Sequence, residues 1–321
     1  RWRVNEQPLR PDTTIADAPD AVLIALAGAT GLSLPQVGPL SRVRWMAMSH
    51  DDLSAAFAFE GVTDEVVYIV GPALVGILAV TVSPEAALLS AAALIAVFVT
   101  QFALHPSARF TAPRMDPASE AASDEAVVPV SAAARRTIGA LVLGGMLAMG
   151  TFFGASQAGL TSFALANGLG DSGSLLYAVM AVGSAVATVA MVTVPDRIGF
   201  ATRWVLAGVG MALGAVGMML APNVGILLVW AVLAGAFQGP ALLTIFSVAG
   251  SIAQPGRAGI LMTLTGSGVV MGVAVGTSLG GALAAEGGST AAFGLVVTAA
   301  GVLAALGVGV GVLTRPRSTR A

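Results

Sequence analysis

Long apolar runs separated by short polar stretches occupy the chain from residue 21 to residue 313. A helix that spans a bilayer needs roughly 20 apolar residues. Nine runs reach that length, near 21–41, 56–81, 86–104, 138–162, 173–194, 203–221, 224–247, 258–284 and 290–313. Helices are predicted because a helix satisfies its own backbone hydrogen bonds in lipid, and the alternating pattern of a membrane barrel is absent. The pattern predicts an all-α, polytopic membrane protein with about nine transmembrane helices.

The connections between these segments are of two alternating kinds. One kind is short and lacks arginine: 83–85, 167–174, 221–223 and 286–289. The other kind carries every arginine after Arg10, namely Arg42, Arg44, Arg109, Arg114, Arg135, Arg136, Arg197, Arg203, Arg257, Arg315, Arg317 and Arg320. Basic residues are concentrated in the cytoplasmic loops of membrane proteins. We therefore expect a multi-pass protein of the cell (inner) membrane with its C-terminus in the cytoplasm.

Composition supports a lipid-facing surface. Hydrophobic residues make up 56% of the chain and charged residues 10%, against about 25% charged residues in a typical soluble domain. Cysteine is absent, which excludes disulfides and cysteine-based metal sites. The two histidines, His50 and His105, stand at segment ends. The lipid bilayer is therefore a predicted partner, and neither a metal site nor a cofactor is expected.

Five regions follow from this pattern. They are a polar N-terminal segment (1–20), three helices of an N-terminal bundle (21–104), a cytoplasmic linker loop (105–137), a C-terminal six-helix bundle (138–313) and a cytoplasmic tail (314–321). The linker combines four prolines with mixed charges and small residues, a composition that does not bury a core. Nine spans would put the arginines of residues 1–20 outside. An odd number of missing N-terminal helices explains this, and an aberrant start is the alternative.

The first three helices resemble the last three in their order and in the positions of glycine and proline. Residues 27–29 with Pro35 in the first segment match residues 234–236 with Pro240 in the seventh, both as Ala-Gly-Ala followed by proline. Parallel repeats of this kind let a transporter rock one bundle against the other. The repeat implies two six-helix halves, the first of which lacks three helices.

Two motifs and the central loop carry a resemblance to a known family. Residues 70–76, Val-Gly-Pro-Ala-Leu-Val-Gly, are similar to the fifth-helix motif of antiporters, with Gly71, Pro72 and Gly76 as its markers. Residues 196–199, Asp-Arg-Ile-Gly, resemble the second copy of a cytoplasmic loop motif. With the long central loop, these features make the chain resemble bacterial efflux-type members of the major facilitator superfamily, over helices four to twelve of the twelve-helix fold.

The resemblance implies a central cavity lined by the first, fourth and seventh segments. Each of these segments carries a glutamine: Gln36, Gln157 and Gln238. Phe153, Trp230 and Phe237 are expected to supply apolar and aromatic surface to the same substrate site. The alternative for each glutamine is a hydrogen bond between helices, since an amide in lipid needs a partner.

Glu60, Asp64 and Glu65 form an acidic cluster at the start of the second segment. Ionisable groups inside a membrane are costly and mark candidate proton sites, so these three are candidates for proton coupling. The alternative is structural: the segment starts near Gly61, and the acids lie at the cytoplasmic interface, where they pair with Arg42 or Arg44.

Glycine recurs every fourth residue in the eighth segment, at Gly268, Gly272, Gly276 and Gly280. Such a row permits close helix packing, as either a sliding interface between the halves or a static contact. Gly150 and Gly154 predict a smaller version. Asp196 and Arg197, before Gly199, are expected to brace the inward gate or to form an ordinary turn. Trp45 and Trp204 are expected to anchor spans at the cytoplasmic boundary.

The sequence favours a transporter over an enzyme. No span carries a histidine beside a carboxylate, as a membrane hydrolase would need, and no phosphate loop or basic face indicates nucleotide or nucleic acid as a partner. We expect a monomeric secondary carrier that moves a small, fairly apolar solute by alternating access, as proton-coupled efflux. A non-transporting scaffold or a truncated, inactive carrier is the alternative, and the 321-residue chain by itself is not expected to transport.

Overall fold

The computed structural model describes residues 37–48, 53–110, 131–170, 172–195, 197–254 and 257–314, together with the single residues 22, 25 and 29. Every regular element in this part of the chain is helical, which confirms the predicted all-α fold. The helices are α1 (Val37–Met48), α2 (Leu53–Thr81), α3 (Pro84–Leu104), α4 (Ala132–Ala166), α5 (Gly173–Ala190), α6 (Phe200–Met219), α7 (Val224–Ile252) and α8 (Ala258–Thr314). Short 3₁₀ helices, Pro106–Phe110 and Met191–Thr193, follow α3 and α5.

The 57 residues of α8 are two helices joined at a glycine pair. Gly287 has φ −127° and ψ 15°, and Gly288 has φ 67° and ψ −166°, so neither is helical. The positive φ of Gly288 is open to glycine without a side-chain clash. We call the parts before and after this pair α8a (258–286) and α8b (289–314), and they coincide with the last two predicted spans.

Six helices of the described chain are long and apolar enough to cross a membrane: α3, α4, α5 with its 3₁₀ extension, α6, α7 and α8. They mark the chain as a membrane-embedded helical protein. Of the first predicted span, 21–41, the structure describes residues 22, 25, 29 and 37–41. The predicted count of nine spans is therefore not established.

Helix boundaries follow from capping residues. Ser83, Ser131 and Asn223 precede α3, α4 and α7, and each accepts a hydrogen bond from the backbone N–H three residues later. At the end of α4, Gly168 has a φ of 71°, and the N–H of Leu169 donates to the carbonyl oxygen of Ala164 at 2.9 Å. This is the Schellman arrangement that commonly ends a helix at a glycine. These turns fix the points at which the chain reverses.

The glycine row of α8a lies against α4. A Cβ added at Gly272 would stand 2.9 Å from Cα of Gly150, and one at Gly276 would stand 2.8 Å from Cα of Thr151. On the facing helix, a Cβ at Gly154 would lie 2.5 Å from the backbone nitrogen of Thr277. The two backbones are in direct contact, so the face carrying the row is occupied by a helix of the same bundle.

Trp204 joins α6 to α8b and α4. Its side chain is fully buried, and its indole Nε1 donates a 2.9 Å hydrogen bond to the carbonyl oxygen of Leu303. Gly145 and Gly307 provide the space on either side of the ring. The prediction that Trp204 anchors a span at the membrane boundary is therefore wrong, because this indole packs inside the bundle.

The helix ends that border arginine-bearing connections gather at one end of the bundle, which we call the arginine-bearing end. The start of α6 meets the end of α8b, since a Cβ added at Gly311 would stand 3.3 Å from Cβ of Ala201. The end of α7 meets the end of α1 and the start of α8a, since Gly250 faces both Met46 and Met262. This arrangement fits the alternation of connections along the sequence.

Two boundaries differ from the sequence prediction. Arg42 and Arg44 were expected in a loop after the first span, but they lie within α1 and are 5% and 6% exposed. The predicted linker 105–137 contains the 3₁₀ helix Pro106–Phe110 and the first turns of α4, which begins at Ala132. Residues 111–130 lie outside the described part of the chain.

Candidate functional site

The guanidinium of Arg42 is a buried positive charge at the arginine-bearing end of the bundle. Its Nη2 donates to Oδ2 of Asp64 at 2.7 Å, and its Nε lies 3.2 Å from Oε2 of Glu60. The side chains of Arg42 and Glu60 are 6% and 10% exposed, whereas that of Asp64 is 43% exposed. The Arg42–Glu60 pair is therefore the solvent-excluded part of the site, and the bond to Asp64 is partly screened by solvent.

The spacing of the two carboxylates explains why one arginine holds both. Glu60 and Asp64 stand four residues apart in α2, which puts their side chains on one face of that helix. The side chains of Ser41 and Trp45 of α1 also lie beside the Glu60 carboxylate. This is the pairing with Arg42 that the sequence left open as the structural alternative. The side chain of Glu65 lies outside the described part of the structure.

Phe246 of α7 completes the site from the other side. The guanidinium carbon of Arg42 lies 3.9 Å from the centroid of its ring. A cation over an aromatic face is attracted by the negative face of the ring, by about 2 kcal/mol when desolvated. Arg42 therefore ties α1 to α2 by ion pairs and α1 to α7 by a cation–π contact. We call these four residues, Arg42, Glu60, Asp64 and Phe246, the Arg42 cluster.

Arg44 extends from the opposite side of α1 to Arg42. Its Nη1 donates to the carbonyl oxygen of Phe102 at 2.9 Å and to Oγ of Ser107 at 3.1 Å, and its guanidinium stacks 3.5 Å from the centroid of the Phe102 ring. Residues two apart on a helix are about 200° apart around its axis. The pair Arg42 and Arg44 therefore lets one short helix hold neighbours on both sides.

A small cavity adjoins the Arg42 cluster. Arg42, Phe246, Gly61 of α2 and Thr188 of α5 contribute to its wall. Its volume is about 10 Å³, close to the smallest space that holds one water molecule. The close approach of α2 to α5 depends on Gly61, because a Cβ there would stand 3.0 Å from Cγ2 of Thr188. At this place α2 meets both α5 and α7.

A buried polar seam continues from this cavity between α5 and α7. Thr188 and Ser184 are almost fully buried, and Oγ1 of Thr188 donates to the carbonyl oxygen of Ser184 at 2.8 Å. Gly239 packs against both, and its neighbour Gln238 is 1% exposed.

The other residues predicted to line a substrate cavity are dispersed. Trp230 and Phe237 of α7 pack against Gly217 and Gly210 of α6, so both rings face a neighbour in the same bundle. Phe153 is 6% exposed in the core and meets Phe152 edge to face, with ring centroids 6.4 Å apart. Gln157 is half-buried.

These residues line neither the cavity beside Arg42 nor the larger one at the start of α6. Gln36 lies outside the described residues. The shared substrate cavity formed by Gln36, Gln157, Gln238, Phe153, Trp230 and Phe237 therefore stays a prediction.

The residues of the two family-like motifs are described only in part. Gly71 is half-buried in α2, with open space where a Cβ would stand, and Pro72 and Gly76 belong to the same helix, but their burial is outside the described part. Arg197 and Gly199 are exposed before α6. Asp196 lies outside the described residues, so the predicted gate pair stays a prediction.

No protein-family model, curated protein or solved structure matches the chain. The resemblance to the major facilitator superfamily therefore remains an expectation from the sequence, and the site is interpreted from its own geometry.

The sequence did not single out Phe246 or the role of α1. The available signal was the pair of arginines two residues apart, followed by acids four residues apart, which together suit two facing helices. The partner on α7 had no such signal, because a phenylalanine in an apolar helix looks like any other core residue. Arg42 joins α1 to α2 and α7 at one end of the bundle, and α2 meets α5 beside it through Gly61 and Thr188.

Proposed function

We propose that this chain is a secondary carrier of the major facilitator type, which moves a small, fairly apolar solute by alternating access. The Arg42 cluster supports this proposal most directly. Charged groups buried in a membrane protein are expensive and are associated with transport paths and coupling. Here the charges lie where the helices before the central loop, α1 and α2, meet helices after it, α5 and α7.

The Arg42 cluster suits a gate because opening would break its cation–π contact but not its ion pairs. If α5 and α7 move away from α1 and α2, Arg42 loses the Phe246 ring but keeps its carboxylates, and water can reach the pair. Hydration then offsets the lost contact, since the desolvation cost of a buried ion pair is of similar size to its Coulomb attraction. Alternating access requires a closed and an open form that are close in free energy, and this exchange of contacts for hydration reduces the difference between them.

Proton exchange is the proposed drive. A proton on Glu60 removes the buried negative partner of Arg42 and weakens the tie between α1 and α2. The proposed cycle couples that weakening to opening at the arginine-bearing end, which we assign to the cytoplasm by the positive-inside rule. The buried hydroxyl groups of Thr188 and Ser184, with Gln238, then form part of the solute path.

Flux in proteoliposomes tests this function. The full gene product is reconstituted, a pH gradient is imposed, and movement of an amphipathic fluorescent cation such as ethidium is followed with and without a protonophore. We expect gradient-dependent flux that falls at least about tenfold in Arg42→Gln, whereas Arg109→Gln, an exposed arginine at the same end, keeps it. No flux for any apolar or amphipathic solute tested would favour the scaffold instead.

A further inference from the structure

A second cavity opens at the arginine-bearing end, between α4, α6, α7 and α8b. Its volume is about 580 Å³, within the range of small-molecule sites. The walls are the start of α6 (199–206), the end of α7 (248–252) and the end of α8b (307–314), closed at one side by Ile138 of α4. We call this cavity the α6–α8b groove. It shares no residue with the cavity beside Arg42.

Large apolar side chains line the groove and are open to its surroundings. Phe200, Leu206, Val308 and Val312 are 42%, 57%, 53% and 62% exposed. The wall formed by residues 307–314 is roughly 10 Å long at 1.5 Å per residue, about the depth from the headgroup layer into the acyl region of one leaflet. An open apolar wall of this length in a membrane-embedded helix bundle suits an acyl chain.

Two arginines at the start of α4 stand beside the part of the groove wall that Ile138 forms. Arg135 stands one turn before Ile138 in α4 and on the same side of that helix. Its Nε is buried and makes no hydrogen bond within the described chain. Arg136 is exposed beside it. Residues 132–166, 200–219, 224–252 and 289–314, which form the four bordering helices, contain no acidic residue.

We propose that the α6–α8b groove binds an anionic phospholipid, with one acyl chain along α6 and α8b and the phosphate at Arg135. The guanidinium of Arg135 supplies a positive charge and N–H donors at its terminal nitrogens, and the phosphate supplies the acceptor and the opposite charge. This inference goes beyond the proposed function and does not depend on transport. A membrane rich in anionic lipid would stabilise the arginine-bearing end of the C-terminal bundle by occupying this site.

Native mass spectrometry of the purified chain in detergent tests the site. The chain is titrated with palmitoyl-oleoyl phosphatidylglycerol or with phosphatidylcholine of the same acyl chains. We expect the first lipid to be retained more strongly. Arg135→Gln should weaken its retention roughly tenfold, since one charge-assisted hydrogen bond is lost, and leave the second lipid unchanged. Val308→Trp, which fills the groove, should weaken both lipids.

Arg109→Gln is the matched control, because it removes an exposed arginine from the same end but outside the groove. Thermal unfolding checks that each variant is folded. Equal retention of the two lipids by the parent chain would overturn the proposal. So would equal losses in Arg135→Gln and Arg109→Gln, which would show a diffuse charge effect. Unchanged retention in Val308→Trp would place the lipid elsewhere.

Discussion

The guanidinium of Arg42 lies 3.9 Å from the ring centroid of Phe246, and this contact joins a helix before the central loop to a helix after it. Two carboxylates hold the same guanidinium from α2. A single side chain thus connects three helices at one end of the bundle. Replacing Arg42 should therefore change both the stability of the protein and the movement of these helices.

Replacing Arg42 should destabilise the protein because Glu60 remains buried without its counter-charge. Breaking a buried ion pair from one side costs about 3–5 kcal/mol, so Arg42→Gln should lower the midpoint of thermal unfolding clearly. The double variant Arg42→Gln/Glu60→Gln should recover most of the loss. Unfolding in detergent, followed by circular dichroism, measures both. If the single and double variants were equally unstable, the ion pair would not be the cause.

The α4–α8a contact should tolerate no added methyl group at its centre. In Gly276→Ala the new Cβ would stand 2.8 Å from Cα of Thr151, where backbone cannot give way easily. We expect a loss of about 1–3 kcal/mol. Gly281→Ala on the same helix is the control, because nothing lies within 4 Å of its Cβ position. That variant should be neutral or up to about 1 kcal/mol more stable. Equal effects at the two positions would contradict the packing described for this face.

Gly145 should be required only while Trp204 is present. A Cβ at residue 145 would collide with Cζ2 of the indole and stand 2.9 Å from its Cη2. Gly145→Ala should therefore cost about 1–3 kcal/mol in the parent chain. In a Trp204→Leu background we expect a much smaller cost, and a double-mutant cycle of unfolding free energies measures the difference. The same cost in both backgrounds would show that the indole does not set the limit.

The sequence predicts the helices well and their side-chain environments less well. Hydrophobic runs gave the positions of α3 to α7 and both halves of α8, because each must be apolar over a bilayer's thickness. Arg42 and Arg44 were misassigned to a loop, since a charge usually marks the end of a span. Both arginines lie inside α1, and both have partners. Arg42 pairs with carboxylates, and Arg44 donates to a carbonyl oxygen and a hydroxyl oxygen.

The sequence also does not predict which neighbouring helix a side chain faces. The repeat of glycine every four residues predicts one close-packed face of α8a, but it cannot say that α4 is the partner. The indoles of Trp204 and Trp230 both enter spaces left by glycines on other helices, and the sequence shows neither contact. These contacts between tryptophans and glycines depend on which helices become neighbours. The periodicity of a single helix does not predict its neighbours.

The two ends of the bundle should react differently with a reagent that cannot cross the membrane. The chain has no natural cysteine, so single cysteines report cleanly. Glu286 and Arg257 are both exposed, one beside an arginine-free connection and one at the arginine-bearing end. In intact cells, Glu286→Cys should react with an impermeant maleimide, and Arg257→Cys should react only after permeabilisation. Reaction of both in intact cells would refute the assigned orientation.

Opening of the proposed gate requires α2 to separate from α5 beside the Arg42 cluster during transport. Gly61 and Thr188 provide the direct test, because a Cβ at residue 61 would stand 3.0 Å from Cγ2 of Thr188, a spacing suited to a disulfide. The double variant Gly61→Cys/Thr188→Cys is prepared in the full gene product and reconstituted, and solute flux is measured after oxidation and again after reduction. We expect the disulfide to stop flux and reduction to restore it, with each single-cysteine variant unaffected by oxidation. Undiminished flux through the fully oxidised protein would contradict the proposed gate.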